Sequence, residues 1–308
     1  MSISVFIDGG SGTTGLEIRE RLAGRADLTP IEIDEARRKD PAARAEALNA
    51  ADFVILCLPD DAAREAVRLV TNPKTRIIDA STAHRTADGW LYGFPELEPG
   101  HQAAIADAAR VANPGCYPTG FLALVRPLVR AGLVPHDWLL GVNATSGYSG
   151  GGKSMIAEFE GGGGSAFRPY ALALAHKHVP EMQRHARLAH PPIFMPSVAN
   201  TYRGMVVEVP LPLHALPRRP GVAALKEALQ AAYDGSRVVR VADDAPTLVR
   251  IEDDADSDRL TLHVRGSDEA GQARLLATLD NLGKGAAGAA VQNLNIMAGL
   301  DPVAGLRL

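Results

Sequence analysis

In the first third of the chain, apolar positions fall into short unbroken runs separated by stretches with helical spacing. Ile3 to Ile7 is one such run, and Phe53-Val54-Ile55-Leu56-Cys57-Leu58, closed by Pro59, is the clearest. A strand covered on both faces can be apolar at every position, so both runs predict buried parallel strands. Leu28 to Ile33, Arg76 to Asp79 and Arg110 to Ala112 predict three more. Thr14 to Ala23 predicts a helix, with Leu16, Ile18 and Leu22 apolar and Gly24 as its stop. Asp60 and Asp61 offer caps to another helix, running to Val70. This alternation predicts an α/β class with a parallel sheet. From Gly204 the pattern changes. Met205 to Val209, Val238 to Val241, Leu248 to Ile251 and Leu260 to Val264 are short strand candidates, with a helix from Val222 to Tyr233 among them. They predict a second, mixed or antiparallel sheet in an α+β domain. Gly285 to Leu300 predicts a small-residue helix, with Val291, Leu294 and Ala298 on one stripe, that packs back on the first domain. The expected division is 1–115 and 116–284, with 285–308 returning to the first part.

Composition narrows the class. A chain of 308 residues suits two domains. With 46% hydrophobic and 22% charged residues it lies well outside the disordered regime. A net charge of -4 argues against a general nucleic-acid binder. No window reaches the roughly 18 uninterrupted apolar residues of a membrane helix. The chain enters its first strand with neither a basic leader nor a cleavable apolar stretch, so no targeting segment is expected. Two cysteines, Cys57 and Cys116, make no disulfide framework, which points to a reducing compartment and a cytoplasmic location.

The turn from the first strand into the first helix reads Gly9-Gly10-Ser11-Gly12-Thr13-Thr14-Gly15. Gly10, Gly12 and Gly15 satisfy G-x-G-x-x-G, the fingerprint of a Rossmann-type dinucleotide site. The glycines allow a tight turn, close approach to a pyrophosphate and close helix packing, and N–H groups at the helix start meet the phosphate charge. The same loop can also be read as a merely tight turn. Asp34 ends the second strand where a carboxylate would bind the ribose of NAD. Arg37, Arg38 and Lys39 follow at once, and such cations suit the 2′-phosphate of NADP. The residues lean to NADP; a solvated basic face is the alternative.

Cys57, inside an apolar strand, reads as an inert small hydrophobe. Cys116 lies in Asn113-Pro114-Gly115-Cys116-Tyr117-Pro118-Thr119-Gly120, just ahead of the helically spaced segment Phe121 to Ala131. At or before a helix N-terminus, the dipole and backbone N–H groups favour a thiolate and can hold an oxyanion. A nucleophile and a buried turn cysteine are equally compatible with that context. His176-Lys177-His178-Val179-Pro180-Glu181 offers an acid–base partner. Pro180 fits the first turn of a helix, which leaves residues 176 to 178 extended, with His176 and His178 on one side. Glu181 could orient an imidazole. No third cluster completes a metal site, so no metal is expected. Gly147-Tyr148-Ser149-Gly150-Gly151-Gly152-Lys153-Ser154 formally matches a P-loop. Only Met155 to Glu160 separates it from the glycines at 161–164, too little for a phosphate-binding helix. It reads instead as a flexible loop beside an active site, with Lys153 on a substrate phosphate or in solvent.

Gly9 to Gly15, Asp79-Ala80-Ser81-Thr82-Ala83-His84-Arg85, Asn113 to Gly120, Ser146 to Lys153, His176 to Glu181 and Asn281-Leu282-Gly283-Lys284-Gly285-Ala286-Ala287-Gly288 together resemble the N-acetyl-gamma-glutamyl-phosphate reductase family, in its shorter form. The motifs keep their order over nearly the whole chain. The resemblance implies an NADP-binding Rossmann domain, a second domain of the glyceraldehyde-phosphate-dehydrogenase type, and a role in arginine biosynthesis. It implies Cys116 as nucleophile, His178 as acid–base residue, His176 and Glu181 in support, and Arg85 on the substrate phosphate. Gly10, Ser11, Gly12, Thr13, Thr14, Gly15, Arg37 and Arg38 would bind the cofactor. A small-molecule acyl phosphate is the expected partner, and a homo-oligomer the expected assembly. The rival readings are the same chemistry on aspartyl phosphate or a carrier-linked aminoadipyl phosphate, a non-catalytic dinucleotide sensor, and a P-loop NTPase.

Overall fold

Every apolar run of the first third becomes a parallel strand in the computed structural model, which describes residues 2–37, 40–244 and 246–308. The chain divides into two units. The first holds the described residues of 1–95, 100–114 and 286–306. Its sheet contains β1 (Ile3–Asp8), β2 (Leu28–Ile31), β3 (Phe53–Leu56), β4 (Arg76–Asp79), β5 (Leu91–Tyr92) and β6 (Arg110–Ala112), in the order β2-β1-β3-β4-β6-β5. All pairings are parallel. Helices α1 (Thr13–Leu22), α2 (Pro41–Ala50), α3 (Asp60–Leu69), α4 (His101–Asp107) and the last, α9 (Gly288–Met297), belong to this unit.

Two-sided burial explains the unbroken runs. Val5, Phe53, Ile55 and Ile78 face one cluster with Ile18 of α1, Ile105 of α4 and Ala290, Val291 and Leu294 of α9. Their strand neighbours Phe6, Val54, Leu56 and Ile77 face another, with Ala47 and Leu48 of α2 and Ala63 and Ala66 of α3. Arg76 ties α9 further, donating to the carbonyl of Met297. Asp60 and Asp61 do not cap α3: Pro59 is the N-cap, and Asp60 accepts from the N–H of Thr82 at 2.9 Å.

The second unit holds residues 96–99, 115–285 and 307–308. Its mixed sheet contains β7 (Gly141–Gly147), β8 (Phe167–Pro169), β9 (Ile193–Ala199), β10 (Met205–Pro212), β11 (Val239–Val241), β12 (Leu260–Ser267) and β13 (Gln272–Leu279), in the order β11-β12-β13-β10-β7-β9-β8. Helices α5 (Cys116–Arg130), α6 (Gly152–Glu158), α7 (Val179–Ala186) and α8 (Val222–Ala232) complete it. The run Leu248 to Ile251 is not a strand: Leu248 is 69% exposed, and the Arg250 N–H is turned onto Asp253 Oδ2.

Helix α5 runs buried along the sheet, and Gly120 lets it approach. A Cβ there would stand 2.8 Å from Val207 Cγ2. Pro127 lies inside the helix and cannot donate to the carbonyl of Ala123 four residues earlier. The buried Tyr233 hydroxyl donates to that carbonyl instead, at 2.8 Å. Among the described residues, no helix is long and apolar enough to cross a membrane.

Candidate active site

In the first unit the glycine loop forms the turn from β1 into α1. Gly9 has φ +84°, and a Cβ there would stand 2.3 Å from the carbonyl oxygen of Cys57. Gly12 is the N-cap of α1 and donates its N–H to Gly9 O at 2.9 Å. A Cβ on Gly15 would meet Gly10 Cα at 2.7 Å, so the helix start packs directly on the loop. The loop follows β1, where the sheet order reverses between β1 and β3, the crevice at which open α/β sheets bind ligands. A cleft of about 940 Å³ opens here, lined by Gly9, Gly10, Ser11, Asp34, Arg19 and Arg44 among others. Steric demand, helix start and cleft together fit a dinucleotide.

The cleft sorts the expected cofactor residues. Gly10, Ser11 and Asp34 line it, whereas Gly12 to Gly15 build the turn and first helical turn. Arg37 pairs with Asp40 at 3.5 Å and is not among the lining residues. Arg38 and Lys39 lie outside the described residues. Among the described residues, the cations that line the cleft are Arg19, paired with Glu32 at 3.3 Å, and Arg44, whose Nε donates to Asp8 at 2.7 Å. Burial pushes the Asp8 carboxyl up despite Arg44. Neither arginine carries a local sequence signal, because each enters the cleft from the middle of the sheet layer's helices.

Asp79, fully buried, organises the segment after β4. It accepts from the N–H and hydroxyl of Ser81 and meets His84 Nδ1 at 2.6 Å, and the His84 ring stacks on Trp90. Arg85 donates from Nε to Asn113 O at 2.9 Å and from Nη2 to Ala80 O at 3.0 Å. Its guanidinium thus clamps the chain after β6 to the chain after β4. Cys57 follows β3 rather than lying within it, and burial, with Asp79 and Asp8 nearby, pushes its thiol up to about 12.

The second unit carries the other thiol. Cys116 is half-buried and is the first residue of α5, with Gly115 as N-cap. Two segments distant in sequence converge on it. Glu181, 1% exposed, accepts the Gly115 N–H at 2.8 Å. The Tyr117 ring stands edge-on to His178 at 5.9 Å and to His176 at 6.1 Å. From the chain's far end Gly285 closes in: a Cβ there would stand 2.8 Å from Cys116 Cβ. The Tyr117 hydroxyl donates to Ser146 Oγ at 3.0 Å and receives one from Tyr170 at 3.3 Å. Tyr117 and Tyr170 were absent from the sequence expectations, although Tyr117 adjoins the thiol.

Two expectations change. Residues 177 and 178 form a turn, not an extended strand, and His178 has helical dihedrals as N-cap of α7. The turn brings the two imidazoles to 4.7 Å and sets the His178 N–H on His176 Nδ1 at 3.1 Å. Accepting that bond requires an unprotonated Nδ1, and burial accordingly pushes His176 down to about 4. Glu181 engages the backbone beside the thiol at Gly115, rather than serving only to orient an imidazole.

The P-loop match fails on its backbone. The N–H groups of Gly147, Tyr148 and Ser149 donate to the carbonyls of Gly204, Thr201 and Tyr202 at 2.9, 2.9 and 3.0 Å. They face their own fold and cannot cradle a phosphate. Lys153 is exposed on the seven-residue α6.

Comparison with known proteins finds a family match in each of the two units. Residues 27–105 match the family described as semialdehyde dehydrogenase, NAD binding domain, and residues 116–281 the semialdehyde dehydrogenase dimerisation domain. An N-acetyl-gamma-glutamyl-phosphate reductase of Chelativorans sp. is 52% identical over 306 residues, covering 96% of this chain and 98% of that protein. One from Burkholderia ambifaria is 52% identical over 303 residues, covering 96% of each chain. The solved aspartate semialdehyde dehydrogenase of Francisella tularensis shares the fold with a TM-score of 0.72 at 13% identity, covering 96% of this chain and 100% of that one. Aspartate semialdehyde dehydrogenase II of Vibrio cholerae does so with a TM-score of 0.67 at 18% identity, covering 97% and 99%.

Proposed function

The chain belongs to the N-acetyl-gamma-glutamyl-phosphate reductase family, and from that premise we propose that it reduces N-acetyl-gamma-glutamyl phosphate to N-acetylglutamate 5-semialdehyde and phosphate, with NADPH, in arginine biosynthesis. The observation that carries the reading is the convergence at Cys116. The thiol begins a long buried helix, and the backbone and ring beside it touch Glu181 and His178.

In this scheme the Cys116 thiolate, favoured by the first-turn N–H groups of α5, attacks the acyl carbon and expels phosphate, leaving a thioester. Bound NADPH supplies the hydride that reduces the thioester carbon. His178 gives its proton to the resulting oxyanion, then takes a proton back as the hemithioacetal collapses to aldehyde and thiolate. His176, kept neutral by its surroundings, holds the His178 backbone through Nδ1. Glu181 fixes Gly115 and with it the start of α5. Arg85 is assigned to the substrate phosphate on the family resemblance alone. Residues 1–115 with 285–308 are assigned to cofactor binding and 116–284 to catalysis and substrate.

The cofactor is a nicotinamide dinucleotide, held at Gly10 to Gly15, and we favour NADP. Arg19 at the cleft supports this choice, whereas Arg37, expected from the sequence, does not line it, and Arg38 lies outside the described residues. Cytoplasmic location rests on two cysteines outside any disulfide, and self-association on the match to a dimerisation domain.

The test is phosphate-dependent reduction of NADP and of NAD with N-acetylglutamate semialdehyde, beside aspartate semialdehyde. Preference for the acetylated substrate and for NADP is expected, and faster turnover of aspartate semialdehyde refutes the substrate assignment. His178→Asn should lower turnover by about two to four orders of magnitude while leaving NADPH fluorescence titration unchanged.

A further inference from the structure

A cavity of about 830 Å³ lies at the β11–β12–β13 end of the second sheet, and none of its lining residues belongs to the thiol site. Thr261 and His263, two apart on β12, share a face with Thr278, the β13 partner of Thr261. Asp244, Asp254 and Arg240 line the same space.

Two lining side chains are more than nine-tenths buried, one with an orphaned nitrogen and one a carboxylate outside any ion pair. His263 is 8% exposed, and its Nδ1 has no hydrogen-bond partner. Asp254, 5% exposed, accepts from Thr278 Oγ1 at 2.5 Å and has no cation partner among the described residues. Asp254, Asp244 and Asp253 line the same cavity as His263, and they act on its imidazole together with the opposing charge of Arg265. An orphaned imidazole nitrogen and an unpaired carboxylate in one cavity each carry a desolvation penalty that a ligand would relieve.

The charges define the ligand. Asp253 is paired with Arg250 at 2.9 Å. Asp243, Asp244 and Asp254 have no ion-pair partner among the described residues, and Lys226 reaches Asp243 only at its carbonyl. Against these three carboxylates stands Arg240, whose Nε donates to Thr261 Oγ1 at 2.9 Å. Of the two lining guanidiniums, Arg250 is taken up by Asp253, so among the described residues the cavity is net acidic with Arg240 outside any ion pair, which calls for a molecule with more positive than negative charge and one carboxylate.

We propose that this cavity binds a dibasic α-amino acid, with its carboxylate on Arg240 and its two cationic groups on Asp244 and Asp254, one of their N–H groups donating to His263 Nδ1. Such a ligand is small enough for the volume and neutralises half of the excess charge.

The test is calorimetric titration of the full chain with L-lysine and L-arginine, beside cadaverine, which lacks the carboxylate, and L-norleucine, which lacks the second cation. Saturable binding of the dibasic amino acids is expected, weakened about tenfold or more for either analogue and by Arg240→Gln or Asp254→Asn. Should Asp254→Asn disturb folding, hydrogen exchange on the wild-type chain reads the same contact: L-lysine should protect residues 240–244 and 246–254. No saturable binding up to about 10 mM overturns the proposal. So do cadaverine binding as tight as lysine, unchanged affinity in Arg240→Gln, or absence of protection.

Discussion

Alkylation should separate the two thiols by orders of magnitude. Burial and the carboxylates of Asp79 and Asp8 push Cys57 up to about 12. At pH 8 its thiolate fraction is then about one in ten thousand, against roughly a quarter for an unperturbed cysteine of pKa about 8.5. The ratio is about two thousandfold before access is considered. Cys116 has the same intermediate exposure as Cys57 but stands first in α5, where backbone N–H groups favour a thiolate. Iodoacetamide at pH 8, followed by peptide mass spectrometry over time, should therefore give one rapid modification, at Cys116, with activity lost in parallel. In Cys116→Ala, turnover should vanish and rapid labelling with it, whereas Cys57→Ala should keep both. Modification of Cys57 in the native protein within about tenfold of the Cys116 rate would refute the burial argument. Turnover persisting in Cys116→Ala would end the thioester route.

Three further outcomes follow from the second unit. Tyr233→Phe should cost about 1–3 kcal/mol in denaturant unfolding, because it strips the donor from the carbonyl of Ala123; in a Pro127→Ala background, where the helix regains its own N–H, the cost should shrink. His176, held down at about 4, stays neutral in the fold while the unfolded chain takes up its proton near 6.5. Its contribution is thus present above pH 6.5 and lost as pH falls through 4, so the pH dependence of the unfolding midpoint over that window should flatten in His176→Asn. Gly285→Ala, which sets a Cβ 2.8 Å from Cys116 Cβ, should lower turnover about a hundredfold with NADPH titration unchanged.

Local physics made part of this legible in sequence. The strand Phe53–Leu56 and the glycines at 9–15 are dictated by two-sided burial and by close backbone approach, both properties of contiguous residues. β13 gave no clear period, because it alternates only over Gln272 to Leu275 and is then buried at every position to Leu279, Thr278 included. Leu248 to Ile251 misled for the opposite reason: an apolar run without a sheet edge to join. α2, rich in alanine, offered almost no amphipathic signal. The link between Gly115 and Glu181 joins residues far apart in the chain and is a product of tertiary packing, invisible to spacing. The turn at His178 shows the same limit, since a proline in the first turn of a helix does not fix the chain two residues before it.

The contact between Gly285 and Cys116 also orders events during synthesis. The thiol emerges from the ribosome well before the glycine that packs against it, and every strand of the second sheet lies between them. A nascent chain ending at Leu279 would hold the complete sheet and the whole of α5, yet its thiol would lack its last neighbour. Closing so long a loop is among the slow steps of folding. The thiol therefore reaches its finished environment only after Gly285 has been made, and a chain cut between Leu279 and Gly285 would carry Cys116 without that neighbour.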